Sequence, residues 1–250
     1  MRWRGVISIV AASLVLPALA PARARAQWYA AGFMGANHTQ PADVTIDQPS
    51  RATHLDIAGV TFESQSLTSP QYYGYRVGWL HGDPARRQWG LEFEFIHPKV
   101  FSRTGPSVHF RGQVDGVPID ATAPMDTLVS RYAMSHGLNF ALANVVVRLP
   151  LGGAPGRPAR FAVVARAGAG PTIPHAESTI RGESFDGYQL DGLGVHGAVG
   201  VEAHLVGRLS ASVDYKLTCA WPTITVVDGT GHTTAVVHHL AVGFVIRLSR

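Results

Sequence analysis

The sequence predicts an all-β chain, an eight-stranded antiparallel transmembrane β-barrel with short periplasmic turns and longer extracellular loops. Three observations carry that expectation. Apolar and polar residues alternate in segment after segment, the period of a strand whose two faces meet different surroundings. The connections between these segments are alternately short and long, the asymmetry of a bacterial outer-membrane barrel. No run of 18 apolar residues follows the N-terminal segment, so no spanning helix is expected.

The first 26 residues read as a secretory signal peptide. Arg2 and Arg4 form a basic start, Val6 to Leu19 an apolar stretch, and Ala24, Arg25 and Ala26 a small-x-small cleavage site. The expected mature domain is 27–250, which is 250 − 26 = 224 residues. The leader carries four of the 21 basic residues and no acid, which leaves 21 − 4 = 17 basic against 17 acidic side chains. A neutral balance offers no field for nucleic acid. Cys219 is the single cysteine, so a disulfide framework is excluded.

Strands are expected over 28–37, 71–81, 88–98, 132–148, 160–171, 190–203, 208–219 and 234–248. The connections 82–87, 149–159 and 204–207 are short, and 38–70, 99–131, 172–189 and 220–233 are long. Parity sorts the side chains. A lipid-facing set includes Tyr73, Tyr75, Val77 and Trp79, then Trp89, Leu91, Phe93 and Phe95. It continues with Phe161 and Val163, Leu193 and Val199, Val213 and Tyr215, and Leu240 and Phe244. In the fourth strand Leu138, Phe140, Leu142 and Val146 share one parity, and an outward direction is expected for it. The opposite set contains Arg76, Glu92, Glu94, Arg166, His196, Glu202, Asp214, Lys216 and Arg247. Charges are costly against lipid but can pair inside a barrel too narrow for an open pore. They are read as a structural plug, with a proton or ion path as the other reading.

The long-loop end gathers histidines. His97 closes the third strand, His136 opens the fourth, and His175 follows the fifth. Strict alternation points all three outward at headgroup height, although Pro98, Pro171 and Pro174 allow bulges. They are either interfacial polar residues or a site on adjacent strands, with imidazoles and Glu177 as acid–base groups or metal ligands. The pair Ser135 and His136 is similar to the serine–histidine proximity of outer-membrane lipid A deacylases. No nucleophile elbow, phosphate-binding loop or H-E-x-x-H motif is present.

Six stretches carry a resemblance: 70–79, WGLEFEFIHPKVF at 89–101, SHGLNFALANVVVRLP at 135–150, AGAGPTIPHAES at 167–178, 185–202 and 209–218. In order and spacing the chain resembles the rhizobial-type outer-membrane lipid A oxidases and related outer-membrane barrels. It departs from such barrels in ending on Arg250 rather than an aromatic residue. The resemblance implies O2-dependent oxidation of the proximal glucosamine of lipid A to 2-aminogluconate. The motif positions are His97, Lys99, His136, Asn139, His175, Glu177, Tyr188, Tyr215 and Lys216. Side chains alone pass electrons to oxygen poorly and no flavin or dinucleotide motif is present, so a redox-active divalent metal on His97, His136 and His175 is expected. The expected partner is the lipopolysaccharide of the outer leaflet, met by a monomer. The alternatives are a non-enzymatic structural or adhesin-like barrel and a different lipid A enzyme, such as a deacylase.

Overall fold

A computed structural model describes residues 26–152 and 159–248. The proposed signal segment, apart from Ala26, lies outside the described residues. Eight long strands form the wall: β1 (Gln27–Thr39), β2 (Tyr73–Gly82), β3 (Gln88–His97), β4 (Val129–Leu151), β5 (Phe161–Ile180), β6 (Asp191–Val206), β7 (Leu209–Ala220) and β8 (Ala235–Arg247). Each pairs antiparallel with its neighbours, and β1 pairs with β8, for example Phe33 opposite Gly243. The sheet therefore closes and leaves no edge in the wall. Among the described residues no helix is long and apolar enough to cross a membrane. The helical turns there are Pro49–Arg51 and Met125–Thr127.

The outer surface is an apolar belt. Val77, Leu91, Phe93, Val199, Val213, Val242 and Phe244 are all large, apolar and exposed. Trp79 and Trp89 meet edge to face at 6.1 Å towards the short-turn end, and Tyr75 stacks on Phe95 at 5.1 Å nearer the other. Aromatic residues flanking an apolar band are how such barrels seat at two membrane–water interfaces.

The fourth strand reverses the expected direction. Phe140, Leu142 and Val146 are buried, while Ala143 and Val145 face outward. The reason is the register with β3, which sets Asn144 opposite Glu92. Asn144 Nδ2 donates to Glu92 Oε1 at 3.0 Å and to Glu94 Oε2 at 2.9 Å, a use that requires an inward side chain.

The lumen is filled in layers. The middle layer is ionic, and its groups are those expected there. Arg76 Nη2 meets Asp214 Oδ2 at 2.6 Å, and Arg166 Nη1 meets Asp214 Oδ1 at 2.8 Å. Arg166 Nε lies 3.2 Å from Glu92 Oε1, and Lys216 Nζ bonds Glu94 Oε1. Tyr29 Oη donates to Glu92 Oε2 at 2.6 Å. Towards the short turns Glu202 holds both Arg148 and Arg247.

Above this layer the lumen turns apolar and merges with structure that the sequence leaves as loops. Hairpins built from 42–60, 107–124 and 223–233 join into a six-stranded sheet over the mouth. Its inner face presents Val44, Ile46, Leu55, Ile57, Val108, Phe110 and Ile224. These pack on Phe33, Ile96, Phe140 and Val237 from the barrel in one continuous core. The charged layer is thus capped by a largely apolar one.

Candidate functional site at the long-loop rim

The rim site exists because β4 bulges. Met134 pairs with Ala176 and Leu138 with Pro174, so Ser135, His136 and Gly137 face the single residue His175. Gly137 has a φ of +94°, a conformation that residues with a Cβ adopt at a cost. A Cβ on it would also lie 2.5 Å from Asn139 Oδ1 and 2.6 Å from His97 Nδ1. Gly137→Ala should therefore cost more than about 1 kcal/mol. It should lower the unfolding temperature in detergent while the folded protein still shifts mobility on boiling in SDS. An unchanged unfolding temperature would mean that the bulge tolerates a side chain.

The bulge turns Ser135 and His136 towards β5. Ser135 Oγ lies 3.2 Å from His136 Nδ1 and 3.2 Å from His175 Nδ1, and donates to Glu177 Oε1. The two Nδ1 atoms are 3.4 Å apart, and His175 Nδ1 is 3.9 Å from Glu177 Oε1. Each group is braced from behind. Arg131 bonds Glu177 Oε2, and His175 Nε2 lies 3.0 Å from Asp186 Oδ1. Tyr188, opposite His175 in the hairpin 183–188, sets its ring edge-on at 4.3 Å. Burial alone would raise the Glu177 pKa. The Ser135 hydroxyl and the Arg131 guanidinium outweigh it and hold the carboxyl below its usual range, so it is ionised at neutral pH.

The expected residues fall into two groups. His136, His175, Glu177 and Tyr188 come together, with His136 exposed and His175 only 7% exposed beneath its neighbours. His97 is not one of the three donors that gather within 4.8 Å, where Glu177 joins His136 and His175 instead. The Nδ1 of His97 is taken by Asn139 Oδ1 at 2.6 Å, and its ring stacks under Tyr73 at 4.8 Å. It keeps the outward parity but is buried, because the β4 bulge folds over it. Asn139 is a brace: its amide donates to the backbone oxygens of His136 and Ile173. Lys99 turns away and donates to Thr68 O at 3.1 Å. Tyr215 bonds His238 at 2.6 Å, and Lys216 belongs to the lumen network. Arg131 and Asp186 were not legible as site residues, because one precedes a bulge and the other lies across a hairpin.

No protein-family description matches the chain, and no curated protein does. Among solved structures, Neisserial surface protein A (NspA) is 8% identical, with 89% of this chain and 98% of that chain covered and a TM-score of 0.36. Ail, the attachment invasion locus protein of Yersinia pestis, in complex with the heparin analogue sucrose octasulfate, is 10% identical, with 88% and 98% covered and a TM-score of 0.35. The Pseudomonas putida toluene transporter TodX is 8% identical, with 90% of each chain covered and a TM-score of 0.19.

Proposed function

We propose that the chain is a monomeric barrel of the bacterial outer membrane, exported by its N-terminal signal, that oxidises the sugar headgroup of lipid A. The observation that carries this reading is the place of the rim cluster. His136 is exposed at the long-loop end of β4, and His175 faces it across the bulge from β5, beneath its neighbours. A headgroup in the outer leaflet lies at that height and reaches such a site from the side, without entering the capped lumen.

The chemistry is oxidation at a free anomeric hydroxyl of the proximal glucosamine. The hydroxyl loses its proton and C1 loses its hydrogen with two electrons. Dioxygen takes up two electrons and two protons and becomes hydrogen peroxide. The sugar lactone then adds water to open as 2-aminogluconate, a net gain of one oxygen atom. The guanidinium of Arg131 beside Glu177 gives the rim a cation for a lipid phosphate.

A second reading has its own observation. The six-stranded sheet stands beyond the rim with Asp47, His54, Asp56, His109 and Arg111 on its partly or fully exposed face, a surface that a non-enzymatic adhesin-like or structural barrel would use. Mass spectrometry of lipid A from cells with and without the gene separates the readings. A gain of one oxygen is the expected result. Loss of an acyl chain would instead indicate a deacylase using Ser135, and an unchanged spectrum would favour the surface-barrel reading.

A further inference from the structure

We propose that the rim is a mononuclear site for a divalent first-row transition metal, with His136 Nδ1, His175 Nδ1 and Glu177 Oε1 as its protein ligands. For its role in oxidation it rests on the lipid A reading. For its existence it rests on geometry alone.

Three donor atoms, one from each residue, lie within 4.8 Å of one another. Two donors bound to one ion at about 2.0–2.2 Å lie at most about 4.4 Å apart, and His175 Nδ1 meets that limit with both partners, at 3.4 Å from His136 Nδ1 and 3.9 Å from Glu177 Oε1. The set is two imidazoles and one carboxylate, the combination that holds non-haem Fe(II) on one face and leaves positions open for substrate and oxygen. Ser135 Oγ sits among the three and is placed to bond a ligand in an open position.

The residues behind the ligands are an independent observation. A metal-bound imidazole characteristically gives its other N–H to a carboxylate, which fixes the tautomer and aims the lone pair at the ion. His175 does this: with its proton on Nε2 it donates to Asp186 at 3.0 Å, and Nδ1 is left to face His136. Glu177 is split in the same way. Arg131 occupies Oε2, and Oε1 turns inward to the cluster. Asn139 fastens the bulge by its bond to His136 O. A merely interfacial pair of histidines has no need for an aspartate behind one ring or an arginine behind the carboxylate.

The ion assigned is Fe(II), because the reaction proposed at this rim moves electrons to dioxygen and a redox-inert ion of the same charge does not. Oxidation of lipid A and occupancy of the site are nonetheless separable properties.

The test uses the full chain folded in detergent, stripped with a chelator and titrated with Fe(II) without oxygen. Nitric oxide is then added and the high-spin iron–nitrosyl signal is read by electron paramagnetic resonance. One equivalent per chain is expected. His175→Ala and Glu177→Ala should abolish the signal, and His97→Ala should leave it intact. Asp186→Asn should weaken iron binding about 10- to 100-fold. A boiling-dependent mobility shift in SDS checks that each variant folds. A folded wild-type chain that gives no signal, or a signal equal in all four variants, would overturn the site. Iron binding without oxidation of lipid A would retire the lipid reading and leave the site standing. Oxidation by a chain that binds no iron would do the reverse.

Discussion

Replacing Arg166 with leucine should destabilise the barrel by about 3–5 kcal/mol, the usual cost of leaving a buried charge without its partner. Arg166 is the hinge of the lumen network. It reaches Asp214 at 2.8 Å and Glu92 at 3.2 Å, and both carboxylates are almost wholly buried. Arg76 and Lys216 would remain against Glu92, Glu94 and Asp214, two cations for three anions in a lumen beneath the capping sheet. Arg166→Leu should unfold at a clearly lower temperature in detergent, and its folded fraction should still modify lipid A. Unchanged stability with modification abolished would mean that the network is a pathway rather than a plug.

Removing His175 should cost at least about 100-fold in lipid A modification, since loss of a residue behind a metal ligand already costs 10- to 100-fold. His175 faces Ser135 and His136 with one nitrogen and Asp186 with the other, so no neighbour can replace it. His136→Ala should behave alike. His97→Ala should have a much smaller effect on modification, because its ring is bonded to Asn139 and stacked under Tyr73 rather than turned to the cluster. The barrel should persist in all three, because the cluster lies outside the lumen network and the capping core. Equal loss of modification in His97→Ala and His175→Ala would place the reacting group on the β3 side of the bulge instead.

The barrel was legible because a lipid belt and a packed lumen impose opposite demands on alternate residues, as in Trp89 to Phe95 against Gly90 to Glu94. The direction of β4 was not, because its lumen face is largely apolar where it meets the cap, and Phe140 or Leu142 reads equally well as lipid-facing. The capping sheet left a period-two trace in Val44 and Ile46, in Leu55 and Ile57, and in Val108 and Phe110. Long loops between wall strands hid it. The rim was half legible. Histidine clustering pointed to the end where His136, His175 and Glu177 meet, but three residues facing one across a bulge break the parity from which His97 and His136 were placed together. Pro98 and Pro174 flank that break, and Gly137 sits within it.

The most direct measurement takes purified, folded protein supplied with Fe(II), air and lipid A bearing a free anomeric hydroxyl, with the lipid weighed by mass spectrometry. The wild-type chain is expected to add one oxygen atom and release hydrogen peroxide, and His175→Ala to do neither while still folding. Oxidation by both chains alike, or by neither, would contradict the account.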